Sequence, residues 1–173
     1  MKKIGFIDYF LDEWHANNYP KFIKDAVGDE FVVAYAYGEI DSPNGKTNRE
    51  WADSFGVELL GTIDEVIEKS DVLIVLSPDH PERHWDLCQK PFRSGKRVYV
   101  DKTFAPSKKI AEDLVKLADE NNTPFFSSSA LRFSDELTTV GHDNIAFINS
   151  RGPGDFDTYS LSLIHISEPT RPE

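Results

Sequence analysis

The chain has 173 residues, of which 39% are hydrophobic and 12% aromatic, and a formal net charge of -11 at pH 7. This length is typical of one folded domain, and no apolar run approaches the roughly 20 residues that a membrane helix needs. The acidic balance argues against sequence-independent binding to nucleic acid, which depends on lysine and arginine at the phosphates.

Short apolar segments recur along the chain with helical patterns between them. Runs rich in valine, isoleucine and aromatic residues, without clean alternation, are typical of parallel strands covered on both faces. Five such strands are predicted, over Lys3–Asp8, Phe31–Tyr37, Asp71–Ser77, Arg97–Asp101 and Pro124–Ser128.

The intervening segments carry helix signals. Two Thr-x-x-Glu capping boxes, at 47–50 and 62–65, predict helix starts. Apolar residues at helical spacing predict an amphipathic helix over Ser107–Asn121. Pro81 suits the first turn of another helix, which Pro91 ends before Gly95. Strands alternating with helices indicate an α/β fold with a doubly wound parallel sheet.

The pattern changes after about Leu137. We predict a first domain over residues 1–137 and the start of a second domain over residues 138–160, where Asn144–Ile148 is the one apolar run. An edge strand followed by a tail is the alternative for that segment. The last stretch, SLSLIHISEPTRPE, resembles translated sequencing-adaptor read-through, so residues 161–173 are predicted to be non-native. The alternative is an ordinary disordered tail.

The turn after the first strand lacks the G-x-G-x-x-G pattern that brings a backbone close to a pyrophosphate. Asp8, Phe10 and Glu13 stand where the three glycines would fall. Their side chains block the close approach, and a carboxylate repels a phosphate by more than about 1 kcal/mol at a few ångströms even in water. The apolar residues of this turn are expected to pack in the core and loop: Tyr9, Phe10, Leu11 and Trp14.

Polar and charged residues follow the predicted strands at the edge where open α/β sheets bind ligands. Asp101 and Lys102 end the segment SGKRVYVDKT, and Lys102 is the first candidate for chemistry; a solvated turn lysine is the alternative. Ser77, Pro78 and Asp79 follow the third strand.

Two further pairs near these strand ends are open between two roles. His80 and His84 fit proton transfer or substrate binding as well as capping or surface positions. Glu39 and Asp41, after the second strand, fit either a ribose-binding acid or a plain turn-rich loop.

Taken in order, these segments resemble the N-terminal domain of the glucose–fructose oxidoreductase / inositol dehydrogenase family, Gfo/Idh/MocA, over about 3–137. The family's Thr-Pro-Asn-like turn, with a histidine a few residues on, corresponds to Ser77-Pro78-Asp79 with His84, and its Ala-Gly-Lys helix end corresponds to Ser94-Gly95-Lys96. Its Glu-Lys-Pro strand end corresponds to Asp101-Lys102-Thr103, and its later Asn-Arg-Phe signature corresponds to Leu131-Arg132-Phe133.

The resemblance implies a Rossmann domain that binds NAD or NADP, followed by a larger, mostly antiparallel domain that holds the substrate and mediates oligomers. It implies hydride transfer at a carbon bearing a hydroxyl on a sugar or cyclitol. Lys102 would be the catalytic residue that hydrogen-bonds the reacting hydroxyl, and no metal is expected. The cofactor-binding residues would be Asp8, Tyr9, Phe10, Ser77, Pro78, Asp79, His84 and Asp101. The family's main catalytic histidine lies in the second domain, so we expect this chain to be inactive alone.

Two other readings stay open. In one, the fold has lost its standard dinucleotide site and serves as a binding or regulatory module. In the other, it is a phosphoacceptor receiver domain, which the long interval from Asp8 to Asp79 disfavours.

The expected setting is the cytoplasm, because one cysteine, Cys88, cannot form an internal disulfide. The opening MKKIGFIDYF has two lysines but runs straight into Asp8 and Asp12, unlike a signal peptide. The expected partners are a small-molecule substrate and further copies of the same protein, with neither nucleic acid nor membrane.

Overall fold

A computed structural model of the protein describes residues 1–135. Its strands are β1 (Lys2–Asp8), β2 (Phe31–Gly38), β3 (Glu58–Leu59), β4 (Val72–Val75), β5 (Arg97–Val100) and β6 (Phe125–Ser127). All neighbouring strands are parallel, in the order β3-β2-β1-β4-β5-β6. Successive strands are added on one side of β1 up to β3 and on its other side from β4 onward, as in the Rossmann fold. The predicted doubly wound parallel sheet is confirmed.

Five α-helices connect the strands within this part of the chain: α1 (Trp14–Val27), α2 (Asn48–Phe55), α3 (Ile63–Lys69), α4 (His84–Cys88) and α5 (Lys108–Glu120). Three short 3₁₀ turns, over Pro81–Arg83, Pro91–Arg93 and Ala130–Phe133, complete the connections. The helix predicted between the two prolines is therefore broken into a 3₁₀ turn, the five-residue α4 and a second 3₁₀ turn.

Side-chain caps begin α2 and α3 as the sequence predicts, with one difference. At α2 the Thr47 hydroxyl accepts from the Glu50 amide at 3.2 Å, and the Glu50 carboxylate accepts from the Thr47 amide at 2.9 Å. At α3 the Thr62 hydroxyl likewise accepts from the amide of Glu65. The Glu65 carboxylate, however, accepts from the Gly61 amide at 3.1 Å, so the second box closes one residue earlier than predicted.

Two apolar clusters cover the two faces of the sheet. Phe6, Trp51 and Leu76 belong to the cluster under α1 and α2, whereas Val66 and Leu114 belong to the cluster under α3, α4 and α5. All five of these side chains are fully buried. Burial on both faces explains why the strands read as continuous apolar runs rather than alternating ones.

The central strand β1 runs unusually close to α3. A Cβ atom added at Gly5 would overlap the side chains of Ser70 and Val66. The register between β1 and β2 also shifts between Ile4 and Gly5. Glycine is therefore required here for close packing of strand and helix.

Some expectations about the chain's elements differ from the structure. The two-residue β3 was not predicted, because so short a segment leaves no pattern to read. Leu11 is fully buried as expected, but Trp14 is 62% exposed, since it starts α1 on the solvent side. The segments 138–160 and 161–173 lie outside the described residues. No helix in residues 1–135 is long and apolar enough to cross a membrane.

Candidate active site

The carboxyl ends of β1, β4 and β5 meet at one edge of the sheet. Asp8 ends β1, Ser77 follows β4, and Asp101 follows β5. Backbone hydrogen bonds continue the ladder past the strands, from Leu76 N to Ile7 O at 2.8 Å and from Asp101 N to Val75 O at 2.9 Å. The structure therefore brings these predicted positions together at the edge where this fold class binds ligands.

Glu13 occupies the N-terminus of α1, directly after the β1–α1 turn. Its backbone is extended, and its carboxylate accepts hydrogen bonds from the amides of His15, at 2.7 Å, and Ala16. Amides at a helix N-terminus attract anions, and in dinucleotide-binding folds they face the pyrophosphate. Burial is the main reason that the pKa of Glu13 is raised from 4.5 to about 7.

Asp8 lies below Glu13 and is almost completely buried, at 1% exposure. One carboxyl oxygen accepts from the Tyr9 amide at 2.7 Å, whereas Oδ2 has no hydrogen-bond partner among the described residues. Burial, reinforced by the nearby Glu13 charge, raises the pKa of Asp8 well above its usual value. The β1 end thus holds a carboxyl group that favours its protonated form.

Asp101 anchors the start of α1 to the end of β5. One of its oxygens contacts His15 Nδ1, and the other accepts from the Tyr19 hydroxyl at 3.2 Å, the Tyr99 hydroxyl at 3.1 Å and the Lys102 amide at 2.8 Å. The rings of His15 and Tyr19 stack 5.1 Å apart. A fully buried carboxylate is tolerated here because each oxygen has partners.

Sequence reasoning missed His15 and Tyr19. Their i, i+4 spacing places both on one face of a helix, which was the available signal. Pro20 follows inside α1 and obscures the helical pattern there.

Lys102 follows β5 and reaches Asp79 in the segment after β4. Its Nζ lies 3.7 Å from Oδ1 of Asp79, and its side chain is 27% exposed. The Lys102–Thr103 peptide bond is cis. The lysine is thus held at its backbone by Asp101 and steered at its tip by Asp79, with its ammonium group open to a ligand.

The segment after β4 is tightly constrained. Ser77 has a positive φ of 79°, which is uncommon for a residue with a side chain. Its hydroxyl donates to the His80 carbonyl at 3.1 Å, and Ser77 and Pro78 are both buried. Strained backbone of this kind clusters at functional sites.

His84 lies beneath this edge rather than on it. Its ring is fully buried, with Nδ1 3.0 Å from the Phe104 carbonyl and Nε2 2.5 Å from the Leu76 carbonyl. Burial lowers the pKa of His84. In this arrangement the ring braces the strand ends, and contact with a cofactor would require it to leave both carbonyls.

Aromatic side chains narrow the crevice from above. The rings of Tyr9, Phe10 and His80 lie 5.1 to 5.7 Å apart. Arg83 lies 5.0 Å above the Tyr9 ring and pairs with Glu39. The small pocket that remains is lined by Asp8, Tyr9, Phe10, Glu13, Ser77, Pro78, Asp79 and His80.

Of the two acids after β2, only Glu39 is placed at this crevice. Its backbone amide donates to the Asp8 carbonyl at 3.1 Å. Asp41 instead accepts from the Asn48 amide at 2.7 Å, a bond that holds the loop before α2.

Comparison with known proteins agrees with this arrangement of strands. Residues 25–128 match the model of the Gfo/Idh/MocA oxidoreductases, described as "Oxidoreductase family, NAD-binding Rossmann fold". The chain belongs to this family. The match begins at Asp25, inside α1, so it leaves out β1 and the turn that carries Glu13.

Individual relatives in the comparison are distant, and the chain spans only part of each. It is 31% identical over 62 residues to the uncharacterized oxidoreductase YhhX of Escherichia coli, covering 36% of this chain and 18% of that protein. The dehydrogenase MviM of Clostridium difficile is 21% identical with a TM-score of 0.58, covering 73% of this chain and 38% of its own. The WlbA dehydrogenase of Bordetella pertussis, in complex with NADH and UDP-GlcNAcA, is 15% identical with a TM-score of 0.63; the coverages are 79% and 39%.

Part of this edge in the Gfo/Idh/MocA domain suits a nicotinamide dinucleotide, whereas Asp8, Phe10 and Glu13 stand where the fold usually has the glycines that let a diphosphate approach. Glu39 lies at the end of β2, where this fold presents an acid to the ribose, and Lys102 lies at the end of β5. The diphosphate position at the start of α1 is held by the Glu13 carboxylate. No cluster of side chains suited to a metal ion occurs among residues 1–135.

Proposed function

We propose that this chain is the cofactor-binding domain of an NAD(P)-dependent oxidoreductase that acts on a CH–OH group of a sugar-like or cyclitol-like substrate. Membership of a family described as NAD-binding oxidoreductases supports the cofactor. The substrate class rests on resemblance; of the structural relatives, WlbA is in complex with a nucleotide sugar.

The observation that carries this proposal is the position of Lys102. Its ammonium group lies at the end of β5, 3.7 Å from Oδ1 of Asp79, which lines the crevice, and the preceding residue is the buried Asp101. A cation placed there can hydrogen-bond a substrate hydroxyl and stabilise negative charge that develops on its oxygen. Of the predicted cofactor contacts, Asp8, Tyr9, Phe10, Ser77, Pro78 and Asp79 line the crevice pocket, whereas His84 and Asp101 are buried and do not line it.

A second candidate function is a binding or regulatory module without a working dinucleotide site. The Glu13 carboxylate at the α1 amides and the edge-on cluster of the Tyr9, Phe10 and His80 rings favour it. It differs from the first proposal in one measurable respect, which is whether NADH binds saturably.

The setting and partners belong to the same proposal. We expect a cytoplasmic protein, because its one cysteine, Cys88, is buried and unpaired. We expect it to bind a small-molecule substrate and to form a homo-oligomer through a second domain, and to bind neither nucleic acid nor membranes. We expect the chain alone to be inactive, because the main catalytic histidine of the resembled family lies in that second domain.

The test compares NADH with ADP-ribose, which lacks the nicotinamide, in titrations of the 173-residue chain. We expect weak but saturable NADH binding, with a Kd above micromolar. Lys102→Ala should weaken binding of NADH and leave that of ADP-ribose unchanged. Lys108→Ala, which removes an exposed lysine of α5, is the matched control. Absence of saturable binding of either ligand would favour the module, and equal losses for both ligands would contradict the role given to Lys102.

Turnover is the second readout of this proposal. The chain incubated with NAD and a panel of polyols and sugars should form no NADH. Detectable formation would show that no second domain is needed for catalysis and would overturn the expected inactivity.

A further inference from the structure

The carboxylate of Glu13 makes the contacts that a bound phosphate would make. It accepts from the amides of His15 and Ala16, the first free donors of α1. These donors and the helix dipole attract negative charge, and a side-chain carboxylate satisfies both features. The binding position for an anion is therefore built, and the chain itself fills it.

A second observation shows that this position lies in a ligand pocket and is more than a helix cap. Asp8 is only 1% exposed and lines the same crevice pocket as Glu13. Its Oδ2 has no hydrogen-bond partner among the described residues. A buried polar oxygen without a partner costs free energy unless something else satisfies it. A ligand hydroxyl in this pocket, which can both donate and accept, would supply the missing partner.

We propose that Glu13 is a resident anion that competes with the diphosphate of a dinucleotide for the N-terminus of α1. Binding then requires this carboxylate to leave the amides of His15 and Ala16. The inference rests on the proposed function, because the competing ligand is the dinucleotide. It also explains how a Rossmann domain without its glycines keeps the anion position.

The charged and titratable groups around Glu13 determine the direction of the pH effect. Asp8 at the end of β1, Asp101 after β5 and Asp79 after β4 are acids. Asp101 raises the pKa of Glu13, and the charge of Glu13 in turn raises the pKa of Asp8. His15 on α1 lies against Asp101 and lowers the pKa of Glu13, while His80 lines the opposite wall of the pocket.

Protonation of Glu13 removes the charge that repels a diphosphate and weakens its hold on the amides. Because the pKa of Glu13 is about 7, its protonated fraction grows as the pH falls from 8 to 6. Affinity for NADH, whose diphosphate stays ionised over this range, should therefore rise as the pH falls.

The experiment is an NADH titration of the full chain at about pH 8 and about pH 6, using wild type, Glu13→Gln, Glu13→Gly and Glu50→Gln. Glutamine keeps the size of the side chain without its charge, and glycine is an accepted N-cap residue that opens the site. Glu50→Gln removes the same charge from the start of α2, outside the crevice. Thermal unfolding verifies that each variant is folded.

We expect both Glu13 variants to bind NADH at least about tenfold more tightly than wild type at pH 8. Wild type should gain affinity toward pH 6, Glu13→Gln should not, and Glu50→Gln should match wild type. If Glu13→Gln does not fold, Glu13→Gly and the pH series on wild type decide.

Two results would overturn the inference, and they are distinguishable. If wild type and the Glu13 variants bind NADH equally at both pH values, the competition does not exist but the proposed dinucleotide binding stands. If none of the chains binds NADH at either pH, removal of the carboxylate opens no site, and the proposed function fails as well.

Discussion

Replacing Glu13 by glutamine should change how the stability of the protein depends on pH. Folding raises the pKa of this carboxyl from 4.5 to about 7, mainly through burial. An acid whose pKa is raised by folding contributes stability that is fully present below its unfolded pKa and is lost as the pH rises through the folded pKa. Between about pH 5.5 and about pH 8, Glu13 should therefore lower the free energy of unfolding by about 2 kcal/mol.

Urea unfolding of wild type and Glu13→Gln at the two pH values measures this contribution. The variant should gain about 2 kcal/mol relative to wild type on going from the lower to the higher pH. Glu50→Gln is the control, because hydrogen bonds from Thr47 lower the pKa of Glu50 and its contribution is constant over this range. A difference between wild type and Glu13→Gln that is the same at both pH values would refute the reasoning.

Three further predictions concern the packing of the fold. Gly5→Ala should lower the free energy of unfolding in urea by about 1–3 kcal/mol. Gly61→Ala, where a Cβ has ordinary room, should lower it far less. Equal losses of stability would contradict the close approach of β1 to α3. Asp101→Ala should lower the free energy of unfolding by about 2–4 kcal/mol, because it leaves buried polar groups without a partner. Asp53 is exposed, so Asp53→Ala should change it little. Burial raises the pKa of the Cys88 thiol, so a thiol reagent should label it only at the rate of unfolding, and fast labelling of the native chain would disprove its burial.

The parallel sheet could be predicted from the sequence because apolar content alone marks strands buried on both faces. Capping residues at α2 and α3 located those helix starts, since the bonds are local and need only a spacing of three residues. The start of α4 could not be predicted as well, because two prolines allow either one helix or several short turns.

The sequence predicts where the candidate site lies but not which side chains contact one another there. Asp8, Ser77 and Lys102 stand at or just after the carboxyl ends of strands. Their position at one edge of the sheet is therefore a consequence of the parallel topology. The role of Glu13 as a cap on α1 depends on its rotamer, and the burial of His84 depends on the carbonyls that surround it. Such contacts are tertiary, and no spacing in the sequence specifies them.

The central claim is that a dinucleotide binds at this edge with its diphosphate at the start of α1. Amide NMR spectra of the ¹⁵N-labelled chain, recorded during an NADH titration near pH 6, test it most directly. We expect saturable shifts of the His15 and Ala16 amides as Glu13 is displaced, together with shifts at Lys102. NADH-dependent shifts confined to other parts of the chain, with His15 and Ala16 unchanged at saturation, would contradict it.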